Sequence, residues 1–318
     1  MENFKVIEFH KTRDFSQKLN ATFEFIKQNF KSLGKSILFI SGPPVVFASL
    51  VIGSLIGDFG AIAQMGASGG AEAYFTSGNF WLQLFLMMFF LVLSGGMNIA
   101  TIYSYVILYG EKRTNQIPVS EVWNRVQSTF WMYLSSMLLL FLLLMLGGFV
   151  LAMATMIIPF IGVLIFFCAF IYFLINVSLL FIIRAYEKIG FFDALARSFR
   201  LVTNKWWSTF GVLVILYFIV IIVTYFINFI QGIVLETVGI HQIDNNPFLS
   251  TSSDTKIVAI VFFAIAYLIQ MVLTALPTIG TVFQYFNLVE LKESKGLMNQ
   301  IDSLGKPLPS SQGQDEHF

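Results

Sequence analysis

Residues 130–183 run for 54 positions without one Asp, Glu, Lys or Arg. About 20 helical residues cross the hydrocarbon core of a bilayer, so a charge-free run of this length must fold back on itself. The turn belongs at Pro159 and Gly162, the two residues that punctuate the run. This predicts a hairpin of spans at about 130–157 and 161–183. Composition agrees: 57% of the 318 residues are hydrophobic and only 12% are charged, against about 25% charge in a soluble domain.

The same reading places four more spans, at about 36–57, 80–109, 208–235 and 257–283, within a six-helix transmembrane domain over 36–286. Pro43-Pro44 is expected to kink or interrupt the first span and Pro277 the sixth. Residues 58–79 and 236–256 read as external loops. Residues 1–35 read as a cytoplasmic, interfacial helix without a cleavable signal peptide: they hold seven Lys/Arg and no apolar h-region. From 287 to 318 the composition shifts towards Ser, Gln, Gly and Pro, which predicts a disordered cytoplasmic tail.

Basic residues orient this arrangement. Lys/Arg number seven in 1–35, three in 110–129, five in 184–208 and three after 284, leaving only Lys256 of nineteen in a segment read as external. Positive charge stays on the cytoplasmic side, so both termini are expected on the cytoplasmic side of the membrane.

Between the fourth and fifth spans lies an amphipathic stretch. Phe191, Leu195, Phe199, Val202 and Trp206 share one helical face, with Arg197, Arg200 and Lys205 off it and Asp193–Arg197 spaced as an i,i+4 ion pair. Such a helix lies in the membrane interface, and Trp206-Trp207 suits the water–lipid boundary. Phe191, Arg197, Phe199, Arg200, Lys205, Trp206 and Trp207 are therefore candidates for contact with lipid headgroups. Phe15, Leu19, Phe23, Ile26 and Phe30 repeat the pattern at an offset of 176 residues, sharing a Thr/Ser-Phe step. Val119, Trp123, Val126 and Phe130 keep its spacing more faintly. Three repeats of interfacial helix plus transmembrane hairpin are expected.

No catalytic, cofactor or metal motif stands out. His10, His241 and His317 lie outside the spans at no ligand spacing. Acidic residues of the external loops (Asp58, Glu72, Glu236, Asp244 and Asp254) are ordinary solvated carboxylates unless brought together. Cys168, the sole cysteine, reads as a small buried hydrophobe. The polar residues of the spans, among them Asn98, Asn176, Asn228 and Gln270, are uncharged, which argues against a carboxylate-driven pump. They either pack helices or line a pathway: a polar lumen lined by them favours a transporter, and broken helices at Pro43-Pro44 and Pro277 are a second route to a carrier. A net charge of +1 gives no general attraction for nucleic acid.

Ala194-Leu195, Arg197, Ser198-Phe199, Leu201, Trp206-Trp207 and Gly211 resemble a signature in bacterial six-span proteins. These include the membrane domain of glycerophosphoryl diester phosphodiesterase and related uncharacterised integral membrane families. The resemblance implies the six-span architecture over about 12–290. It does not imply phosphodiesterase activity, because in that family the reaction belongs to a separate soluble barrel with His, Glu and metal ligands, which this chain lacks. Some similar proteins carry the label carotene oxygenase, and the iron-binding histidines that label requires are missing here.

The expectation is an all-α, multi-pass protein without enzymatic activity or cofactor, a scaffold or lipid-interacting component. Its partners are membrane phospholipids and a possible protein at the cytoplasmic face. The alternative is a permease for a lipid or small amphiphile; an integral-membrane enzyme ranks third.

Overall fold

The computed structural model describes residues 5–65, 70–157, 159–237 and 253–294. Among them every regular element is an α-helix: α1 Phe15–Met65, α2 Gly70–Phe75, α3 Gly78–Lys112, α4 Val119–Ile157, α5 Pro159–Val177, α6 Leu180–Glu187, α7 Phe191–Val202, α8 Trp206–Thr237, α9 Ser253–Leu273 and α10 Ala275–Glu293. Among the described residues six stretches are long and apolar enough to cross a membrane: Phe15–Leu55, Gly78–Lys112, Val119–Met153, Ile161–Glu187, Trp206–Val234 and Ile260–Glu293. The protein is a multi-pass membrane protein.

The charge-free run breaks between α4 and α5, with Pro159 opening α5. Proline suits that first position because its missing N–H would have no partner there. The other proline expectations need correcting. α1 runs unbroken through Pro43 and Pro44 for 51 residues, roughly 75 Å at 1.5 Å per residue. The segment read as a separate interfacial helix and the first span are therefore one rod. Only Gly34 weakens the junction, and a single helical glycine costs about 1 kcal/mol, too little to end a helix. α4 likewise runs straight from its polar start into the membrane. Only the third stretch is separate: α7 stops at Val202, and Asn204 turns the chain with φ 67°, a left-handed conformation that Asn tolerates well. In the last span the break falls at Thr274, and Pro277 sits in the first turn of α10 instead of inside a kinked helix.

Burial overturns two further expectations. Residues 287–293 are not tail: α10 continues to Glu293, and nearly every side chain from Ala275 to Glu290 is buried. α10 is a pillar with α1, α3, α7 and α8 around it. Gly280 admits α8 to it, since a Cβ at that position would overlap the Leu216 side chain. Cys168 is exposed on α5, on a face where a small apolar group meets lipid without cost. The region read as the first external loop is largely helical, with α1 reaching Met65 and α2 following. The second predicted loop falls mostly outside the described residues, as do His241, Asp244, His317 and residues 295–318.

The face that α1 turns inward carries much of its polarity. Lys18, Thr22, Phe25, Asn29, Ser36 and Ile37 are buried, while Phe23 and Phe30 of the apolar stripe are exposed. Lipid and protein interior are similarly apolar, so an apolar stripe need not mark the packed face.

Candidate functional site

The ends of α3, α6 and α10 and the starts of α1, α4, α7 and α8 meet at one end of the bundle, the basic end. An irregular strap, residues 5–14, crosses it before α1. Phe9 anchors the strap: its ring stacks on Phe286 at 5.1 Å between centroids and lies 5.9 Å from Tyr109 and 5.7 Å from Phe283. Gly110 makes room for it, since a Cβ there would stand 3.0 Å from the Phe9 ring. Polar contacts fix the rest. The Ile7 amide donates to Tyr109 Oη (3.0 Å), His10 Nε2 pairs with Tyr186 Oη (3.0 Å), and the Arg13 amide donates to Asn287 Oδ1 (2.6 Å).

Behind the strap lies a buried polar lock. Lys18, only 2% exposed, donates from Nζ to Ser208 Oγ and Gln284 Oε1, each at 2.8 Å, and Gln284 Nε2 donates to Thr209 Oγ1 at 2.8 Å. These bonds tie α1, α8 and α10 together. Lys18 belongs to the 1–35 stretch read from sequence as an interfacial helix, yet it is buried in the protein. Gln284, the residue it meets, is a polar position in a mostly apolar helix, but nothing local in the sequence joins the two.

A second cluster holds α6, α7 and α10. Arg197 grips Glu293 with both terminal nitrogens, at 2.9 and 3.1 Å, and donates through Nε to Glu187 Oε1 at 2.6 Å. The same Glu187 oxygen accepts from Tyr285 Oη at 2.6 Å. Burial opposes charge on Arg197, but the hydrogen bonds to Glu293 and Glu187 outweigh it and raise the guanidinium above its ordinary pKa. Arg197 was expected among headgroups and paired with Asp193; the fold turns it into the protein.

The other sequence candidates scatter. Phe191 is buried, and Phe199 is half-buried beside Phe173. Trp206 stacks on Phe210 at 5.0 Å, with Tyr172 beyond at 6.0 Å, whereas Trp207 is 77% exposed. Arg200 and Lys205 are exposed. Buried positions on α7 are Phe191, Ala194, Ser198, Leu201 and Val202, one step round from the sequence stripe. The intramembrane amides do not converge. Asn98 donates to the Met271 carbonyl (3.3 Å) and Thr274 Oγ1 (2.8 Å), sealing the α9–α10 junction. Asn176 Nδ2 returns to the Tyr172 carbonyl, Gln270 accepts from Thr224, and Asn228 is exposed. Asp58 accepts from Tyr74 Oη and Gln83 Nε2.

What the basic end does enclose is a two-compartment cleft that sequence reading missed. An outer cavity of about 610 Å³ lies under the strap, and an inner one of about 380 Å³ lies between α3, α4 and α6. Ile107, Arg125, Ala185 and Lys188 line both. Arg113 and Lys188 cap α3 and α6 with left-handed backbones (φ 53° and 56°), where Gly or Asn is usual. Their side chains make no hydrogen bond or ion pair among the described residues, whereas Arg125 is paired with Glu111 at 2.7 Å. Two cations at positions that disfavour them, both lining one cleft, were visible in the sequence only as residues after apolar runs.

Comparison with family models, curated proteins and solved structures returned no significant match.

Proposed function

We propose that this protein is a non-enzymatic, lipid-interacting component of a bacterial cytoplasmic membrane, with its basic end and both termini on the cytoplasmic side. The observation that carries the reading is the cleft: among the described residues its cations Arg113 and Lys188 have no carboxylate partner, and anionic headgroups of the inner leaflet supply one. Each basic residue near such a surface contributes about 1 kcal/mol. The permease reading draws no support from these amides, because Asn98, Asn176 and Gln270 are each bonded in a different place and Asn228 is exposed. We also read the chain as three repeats. Helix ends with left-handed caps at Arg113, Lys188 and Ser294 close the second, fourth and sixth spanning stretches. Thr22 and Ser198, 176 residues apart, are both fully buried.

Native mass spectrometry of the protein released from its own membrane tests this reading. Anionic phospholipid should survive on the protein out of proportion to its abundance, while zwitterionic lipid should not. Retention that simply mirrors membrane composition would contradict it.

A further inference from the structure

The inner compartment differs from the outer in its charge. Its lining includes Arg125, Arg184 and Lys188 and no carboxylate. Arg125 is already neutralised by Glu111. Arg184 spends Nη1 on the Met132 carbonyl (3.0 Å) and on Ser136 Oγ, which fixes the guanidinium in place and leaves Nη2 without a hydrogen bond among the described residues. Lys188, exposed at the rim, has no partner there either. Two positive charges therefore remain without a carboxylate partner among the described residues. A third group points to a ligand: Ser104, 1% exposed, lines the same compartment, and its hydroxyl finds no hydrogen-bond partner. Buried hydroxyls are normally satisfied, and a serine in a helix ordinarily bonds to its own preceding turn. Ser104 does not.

We propose that the inner compartment is a binding site for a phosphomonoester dianion, held by Arg184, Lys188 and Ser104. A phosphomonoester carries about −1.5 to −2 charge at neutral pH and three acceptor oxygens, which matches two free cations and one free hydroxyl. A phosphodiester offers one charge and two free oxygens, so it leaves one cation unanswered. Arg184 is the positioning element because the α4 carbonyl and hydroxyl pre-set its plane, and guanidinium forks suit phosphate oxygens. A lipid whose headgroup is a bare phosphate and a soluble phosphomonoester present the same chemistry to this site. The proposal deepens the lipid reading above, and rests on it only for the lipid source.

The test uses the full-length protein, stripped of lipid in detergent, with three probes followed by native mass spectrometry: phosphatidic acid, phosphatidylglycerol and glycerol 3-phosphate. Wild type should retain phosphatidic acid at least tenfold better than phosphatidylglycerol. Lys188→Gln, a change at an exposed side chain, should erase that preference, and Ser104→Ala should reduce it about threefold to tenfold. Lys35→Gln, at an exposed lysine elsewhere on α1, should leave it unchanged. Melting curves for each variant confirm that the fold is retained. If glycerol 3-phosphate binds with the same sensitivity to Lys188→Gln while phosphatidic acid does not, the site stands with a soluble ligand and the lipid reading falls. If both lipids are retained equally, and neither Lys188→Gln nor Ser104→Ala changes that, the site is overturned while the lipid reading survives. Binding of none of the three overturns the site as well.

Discussion

Arg197 illustrates how a residue's chemistry depends on the direction of its helix face. Counted along the sequence it sits on the polar side of an amphipathic helix; in the fold that side meets Glu187 and Glu293. Removing one partner of such a cluster leaves the others charged and poorly solvated. Arg197→Ala should therefore cost about 2–3 kcal/mol of stability, less than the ~3–5 of a fully buried pair, because these side chains keep 16–27% exposure. Phe199→Asp, which forces a carboxylate against Phe173, should cost a similar amount, on the order of 2–3 kcal/mol. Detergent melting of both variants checks that the two losses are comparable. Adding Glu293→Gln to Arg197→Ala should restore part of the loss; a wild-type melting curve for Arg197→Ala would reduce the cluster to a surface decoration.

At the scale of elements, the length of an apolar run was legible and its surroundings were not. All six spanning helices, and the break before Pro159, follow from apolar length and proline chemistry alone. Periodicity also marked which residues of α1 share a face, but it could not say which way that face points, because lipid and core both accept phenylalanine. The shift towards Ser, Gln, Gly and Pro after residue 287 made the end of α10 read as tail. In fact Thr281, Gln284 and Asn287 are tied to Tyr103, Lys18 and the Arg13 amide, partners 178 to 274 residues distant. No local pattern encodes bonds of that range. The cleft escaped for the same reason, since Ser104 belongs to α3 whereas Arg184 and Lys188 stand at the end of α6. The close passage of α8 over α10 gives a direct check. Gly280→Val should destabilise by about 1–3 kcal/mol through overpacking, and Leu216→Ala in the same chain should recover part of that loss in melting temperature. Gly280→Val without effect would mean that the two helices are further apart than described here.

The whole molecule combines one architecture with one asymmetry. Six spanning helices carry their strap, ion cluster, buried lysine lock and cleft at a single end. The lipid reading requires this end to meet the cytoplasmic leaflet, because that is where the positive-inside rule puts the basic residues. Sidedness is thus the measurement on which the reading depends most directly. In a Cys168→Ser background, single cysteines at the exposed positions Glu72→Cys, Lys112→Cys and Arg200→Cys can be probed with a membrane-impermeant maleimide. Intact cells with a permeabilised outer envelope should label Glu72→Cys alone, with Lys112→Cys and Arg200→Cys reacting only after the inner membrane is opened. Labelling of Arg200→Cys from outside would place the basic end on the wrong side and contradict the account.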